Sequence, residues 1–155
     1  MQKYTIYHPN AKGTGSALSF TPCIADATGE GYLILGIAEQ TSTGNDEECK
    51  LIFPRFDWDK QTKVRLDPMD IMEIIRVIKG EQEVINDGKG LWIRRSKCAV
   101  DVRHCIDPVL GYQFNFKTVE ENGDTKTRAI FLTCTEGETI CCALTYALGP
   151  IIFGQ

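Results

Sequence analysis

Two histidines and seven scattered cysteines are the only soft metal ligands in this 155-residue chain, and no Cys-x-x-Cys pair occurs among them. That leaves no recognisable structural zinc set. His104 with Cys98 and Cys105 is the nearest approach to a metal site or a nucleophile-base pair, but adjacent strand residues point to opposite faces, so His104 and Cys105 cannot cooperate. The odd cysteine count argues against a disulfide framework, and Met1-Gln2-Lys3-Tyr4-Thr5 leads into no apolar signal core. The expected setting is a reducing cytoplasm. No linker or low-complexity tract divides the chain, which is expected to form one domain over residues 1–155. The uncharged stretch 139–155 holds two threonines and a Gly149-Pro150 break and is short for a membrane span, so no membrane partner is expected. A phosphate-binding loop is missing too: Lys12 precedes Gly13 and Gly15 and a strand follows, whereas a nucleotide loop needs the lysine after the glycines and a helix behind it. Neither a cofactor, a metal nor a small-molecule substrate is expected, and the chain does not read as an enzyme.

What the chain does contain is one motif written twice, four strand-like segments and then a capped helix, over residues 14–80 and again over 91–150. Strands are expected near 14–22, 31–41, 51–58 and 61–66, with Asn45 in a loop and a turn at Asp59-Lys60; the second set falls near 91–98, 100–106, 111–120 and 126–134. Asn122-Gly123 predicts a type I′ hairpin turn. The first helix opens at Asp67-Pro68, an N-cap followed by a proline with preset φ, and stops at Gly80. The second is expected to open on a capping box at Thr135 and Glu138 and to stop at Gly149-Pro150.

The helices also speak to assembly. Ile71, Ile74, Ile75 and Ile78 make one apolar stripe, with Asp70, Glu73 and Lys79 left for water. The second helix has no charge on any side from Thr139 onward, so it needs cover all round. A homo-oligomer with this helix near its axis follows, its interface including Leu144, Leu148 and Ile151.

A net charge of -4 argues mildly against nucleic acid. The distribution qualifies that, since Glu39, Asp46, Glu47 and Glu48 gather the acid while Lys89, Arg94, Arg95, Lys97 and Arg103 face only Asp101 between residues 89 and 105.

At Tyr4-Thr5-Ile6-Tyr7, Lys12-Gly13 with Ser16-Ala17-Leu18, Phe56-Asp57-Trp58-Asp59-Lys60 leading into the Asp67–Gly80 helix, Gly111-Tyr112 and Ala147-Leu148-Gly149-Pro150-Ile151, the chain resembles the plant Whirly family. The resemblance implies an α+β fold in which two antiparallel four-stranded sheets pack across a helix-loop-helix core. It further implies four chains in a whirligig tetramer, with single-stranded DNA held between sheets of neighbouring subunits. Trypanosomatid guide-RNA-binding proteins share that fold, which keeps RNA open as a ligand. Two departures stand out. The family's Lys-Gly-Lys-Ala-Ala-Leu motif is here Lys12-Gly13-Thr14-Gly15-Ser16-Ala17-Leu18, without the second lysine, which puts higher-order assembly in doubt. The plant proteins' organelle transit peptide is absent, so a bacterial cell or a phage-infected host is the expected setting.

Single-strand binders that ignore sequence combine a basic groove with aromatic faces, because every base has a π-surface and every nucleotide a phosphate. The aromatic candidates are Trp58, Trp92 and Tyr112; the basic ones are Lys12, Arg55, Lys60, Lys63, Arg65, Arg94 and Arg95. For Phe114 and Phe116 a packed layer is the favoured reading, while Trp58, at a polar turn, is open between core and surface. Two functions from different classes remain: a single-stranded DNA-binding protein of replication, recombination or repair, and an oligomeric interaction module of the same fold without nucleic-acid binding.

Overall fold

A computed structural model describes residues 2–44 and 53–154 of the chain. The expected loop residue Asn45, the acidic group at 46–48 and the start of the strand expected over 51–58 lie outside the described residues. In the first half the elements are β1 (Tyr4–His8), β2 (Ser16–Cys23), β3 (Tyr32–Ser42), β4 (Arg55–Phe56), β5 (Thr62–Leu66) and α1 (Pro68–Ile78). The second half supplies β6 (Leu91–Ile93), β7 (Cys98–Cys105), β8 (Gly111–Val119), β9 (Thr125–Thr133) and α2 (Cys134–Phe153).

Both sheets are antiparallel. The first runs β1-β2-β3, and its fourth place is shared: β5 pairs with the first part of β3, from Leu33 opposite Leu66 to Ile37 opposite Thr62, while β4 pairs with its end, Gln40 opposite Phe56 and Ser42 opposite Arg55, across a register shift between the two pairs. The second sheet is the simple meander β6-β7-β8-β9. The repeat therefore begins at Tyr4 rather than at residue 14. Alternation explains the extra strand, since Ile6 alone points inward between Thr5 and Tyr7 and pairs opposite the core residue Leu18.

Inward positions of both sheets and one stripe of each helix meet in a single apolar cluster. Leu18, Leu35, Ile37, Val64, Val102, Phe114, Phe116 and Leu132 meet Ile71, Ile74, Ile75, Ile140, Leu144 and Ile151 there. Burying each such side chain contributes roughly 1.5–3 kcal/mol. Phe114 and Phe116 are core, as the favoured reading had it.

Four local expectations are corrected. The strand over 91–98 ends at Ile93, because Arg94–Ser96 forms a 3₁₀ turn closed by Lys97 at φ 47°. The Asn122-Gly123 turn has positive φ only at Gly123 and is spanned by the Glu120–Asp124 pair, which is a three-residue hairpin loop rather than type I′. The capping box of α2 is Thr133 with Glu136, not Thr135 with Glu138: the sequence holds two overlapping Thr-x-x-Glu frames, and β9 delivers the chain directly into the earlier one. Finally, α2 runs through Gly149-Pro150 to Phe153. Its last turn is held from outside, the carbonyls of Pro150 and Ile151 accepting hydrogen bonds from the amides of Ala25 and Gly31. Gly31 is required for that approach, because a Cβ there would collide with the Ile151 carbonyl. The α1 cap is as expected, with Asp67 just ahead of Pro68, and Asp67 and Asp70 satisfy each other's amides across the first turn. Among the described residues no helix is long and apolar enough to cross a membrane.

Candidate nucleic-acid interface

The outward face of the first sheet has a floor of small residues. Ala17 pairs opposite Ala38 and Ser19 opposite Gly36, and all four are buried although they face away from the core. Large side chains from the flanking strands lean over them. Tyr7, opposite Ala17, meets Phe56 with ring centroids 5.4 Å apart and planes tilted by 50°. Gln61 reaches across to Gly36 and donates from Nε2 to the Trp58 carbonyl at 2.8 Å. The Trp58 ring carries Lys3 Nζ 3.9 Å from its centroid, and the Arg65 guanidinium sits 3.8 Å over Tyr32. Lys63 and Arg65, opposite Gly36 and Ile34, project on this same face.

The basic residues of the second half come to the neighbouring edge. β5 packs against β6 and against the Arg94–Ser96 turn, so the strand bearing Lys63 and Arg65 adjoins the segment bearing Trp92, Arg94 and Arg95. Trp92 is 57% exposed. It shares the outward face of the second sheet with Ala99 and Lys117, which lie in one row across β6, β7 and β8. Among the described residues no carboxylate lies within ion-pair distance of Lys63, Arg65, Arg94 or Arg95. A row of unneutralised cations beside open aromatic faces can hold phosphates and unpaired bases together.

The turn that carries Trp58 is anchored from the other sheet. Arg128 Nη1 donates to the Lys60 carbonyl at 2.8 Å and to the Ile37 carbonyl at 3.3 Å, and Nε lies 3.3 Å from Glu39 without hydrogen-bond alignment. Lys126 approaches the same Glu39 carboxylate at 3.6 Å. Sequence reasoning passed over Arg128, yet a signal was present: on β9 it falls in phase with Ile130 and Leu132, a charge on the inward alternation.

No protein-family model and no curated protein matches the sequence. Solved structures do match in shape. WHY3 from Arabidopsis thaliana superposes with a TM-score of 0.70 at 20% identity, covering 99% of this chain and 90% of the other. The plant transcriptional regulator PBF-2 gives 0.68 at 18% identity over 97% of this chain and 81% of its own. A guide-RNA-binding protein complex bound to a guide RNA gives 0.67 at 13% identity, over 95% and 89%. The fold is Whirly-like.

On this Whirly-like frame the remaining candidate residues fall in three groups. Lys12, in the β1–β2 loop held by the Asn10 side chain, lines one shallow cleft together with Arg55. Lys60 is exposed at the anchored turn. Tyr112 is corrected: it is 6% exposed, its hydroxyl donates to the Ile78 carbonyl at 3.0 Å, and its ring packs where a Cβ on Gly137 would collide with it. It joins α1 to the second sheet and offers no face to a base. Lys3, Tyr7, Tyr32, Phe56 and Lys117 join the candidate face and were missed by sequence reasoning, although Lys3, Thr5 and Tyr7 alternate outward around Ile6.

Leu144 and Ile151 are covered by the protomer's own core, and Leu148 is partly buried against it. The exposed side of α2 carries Cys142, Ala143, Tyr146, Ile152 and Phe153 instead. Among the described residues no group of three His, Cys, Asp or Glu side chains is placed to hold a metal. Burial pushes the Cys98 thiol up to about 11, which keeps it protonated and inert near neutral pH.

Proposed function

We propose that this protein binds single-stranded DNA with little sequence preference, stacking bases on the outward faces of its sheets while basic side chains at the β5–β6 edge hold phosphates. The carrying observation is that Lys63, Arg65, Arg94 and Arg95, without ion-pair partners among the described residues, gather where β5 adjoins β6, beside the exposed ring of Trp92. Stacking contributes ~1–3 kcal/mol per base and is indifferent to base identity. Duplex DNA hides those faces, so it should compete poorly. The protein's place would be replication, recombination or repair in the cytoplasm of a bacterial cell or a phage-infected host.

We infer in addition that the protein works as a homo-tetramer, with strands held between sheets of neighbouring subunits. The exposed aromatic face of α2, where Tyr146 is 77% and Phe153 86% exposed, supports this. Fluorescence anisotropy with labelled DNA and RNA homopolymers, at several salt concentrations and with duplex as competitor, tests the function. Binding of single strands with weak duplex competition supports the reading. A preference for RNA would favour the guide-RNA-type ligand, in keeping with the similarity in shape to the complex bound to a guide RNA. No binding at low salt would leave the interaction module.

A further inference from the structure

Two ring faces on the outward side of the first sheet are each covered by a cation of this same chain, Lys3 over Trp58 and Arg65 over Tyr32. The rings are half-buried while both cations are exposed. Among the described residues neither cation has a carboxylate within ion-pair distance, so the π-face is the only attractive partner seen for either one. A base stacking on either ring needs the surface that the cation occupies. It also arrives covalently tied to a phosphate, which is the better partner for that cation. Resting on the single-strand reading above, we propose that Trp58 and Tyr32 are two stacking stations capped in the free protein by Lys3 and Arg65. An entering base takes the ring face, and the displaced cation moves onto the adjoining phosphate.

The exchange gives specific parts to residues of this face. Tyr32 becomes a stacking residue and Lys3 a phosphate ligand, while Arg65 changes partner rather than waiting free. It also supplies discrimination: a polyanion without bases can draw the cations away but leaves the rings uncovered, and duplex DNA has no free base face to offer.

The test uses Trp92→Phe, which leaves Trp58 as the sole tryptophan. Titration with a deoxythymidine homopolymer should quench Trp58 emission to saturation, whereas inorganic polyphosphate should shift it toward the spectrum of a Lys3→Ala variant. Lys3→Ala should alter the emission of the free protein and leave that of the saturated complex unchanged, since a base then covers the ring in both. Tyr32→Ala should weaken binding by about five-fold or more at unchanged salt slope, and Tyr32→Phe, which keeps the ring, should bind like its parent. Arg65→Ala should flatten the slope by about 0.7 and, extrapolated to about 1 M salt, bind at least as tightly as its parent because its ring is already open. Strand binding without change in Trp58 emission, or Tyr32→Ala within about two-fold of its parent, would overturn the exchange and leave single-strand binding intact. If the parent binds no single strand at low salt, both proposals fall.

Discussion

The His8 imidazole Nε2 lies 2.8 and 2.9 Å from the two carboxylate oxygens of Glu136, joining the end of β1 to the first turn of α2. Glu136 is also the reciprocal half of the α2 capping box, accepting the Thr133 amide at 3.0 Å. One carboxylate thus ties the first sheet to the helix that closes the second half.

A pH dependence follows from that tie. Partial burial raises the Glu136 pKa, but the hydrogen bond from His8 and those with Thr133 outweigh it and hold the carboxyl below its ordinary value of 4.5. A depressed carboxyl stabilises the fold above its unfolded pKa and loses that contribution as pH falls through the folded one. Glu136→Gln keeps an acceptor for the Thr133 amide but loses the charge that faces His8, so it should be less stable than wild type at pH 6–7 by up to about 1 kcal/mol. The gap should close as the pH drops below 4.5. Urea denaturation at a series of pH values measures it, and a gap that persists at the acid end would show that packing, not charge, is responsible.

Arg128 should matter for both stability and binding. Its guanidinium is nearly enclosed and serves one carbonyl of β3 and one of the turn before β5, so Arg128→Met should lower stability by about 1.5 to 3 kcal/mol, the range for hydrogen bonds to a charged group. Loss of the Lys60 anchor should loosen the Trp58 turn. Weaker single-strand binding at an unchanged salt slope is then expected, a pattern that removal of a phosphate contact would not produce.

Tyr112→Phe separates core from interface. Deleting the hydroxyl removes its bond to the Ile78 carbonyl and should cost about 1 kcal/mol of stability. Strand affinity should not move. A drop in affinity without loss of stability would return Tyr112 to the binding face.

Much of this architecture can be read directly from the chain, for reasons visible in particular residues. The Ile71-Ile74-Ile75-Ile78 stripe and the Asp67-Pro68 cap define α1 by local chemistry alone, and the structure keeps both. What local chemistry cannot decide is a choice between equivalent signals. Thr133/Glu136 and Thr135/Glu138 are equally good boxes on paper, and the choice rests on β9 and on His8, which is 128 residues distant from Glu136. Gly149-Pro150 reads as a stop until Ala25 and Gly31 are seen to hold the turn beyond it. The candidate site divides in the same way. Lys63, Arg65, Trp92, Arg94 and Arg95 are recognisable by type, but that β5 adjoins β6 is a property of the packed sheets. Tyr112 was misplaced because an aromatic with a polar tip suits a buried hydrogen bond as well as an open face.

Phosphate contacts and stacking should separate under salt. Replacing Arg94 and Arg95 by alanine together should flatten the dependence of affinity on salt, by about 0.7 in log-log slope for each phosphate no longer neutralised. Trp92→Ala should weaken binding by ~1–3 kcal/mol with little change of slope. Both sites are exposed, so neither variant should lose much stability. If the tryptophan variant alters the slope and the arginine pair does not, the assigned roles are reversed.

The last prediction separates the helix's inner side from its outer side. Leu144 is 2% exposed in the protomer, so Leu144→Asp places an unpaired charge in the core and should unfold the chain whatever its oligomeric state. Tyr146 stands on the opposite side of α2, largely open, and Tyr146→Glu should leave the protomer folded. If that side forms the tetramer contact, light scattering at micromolar concentration should show a tetramer for wild type and smaller species for Tyr146→Glu, with circular dichroism unchanged. A wild-type monomer would remove the oligomer proposal. A tetramer that survives Tyr146→Glu would move the contact from this face of α2 to the sheets, where the outward aromatic residues would then have to serve assembly instead of a strand.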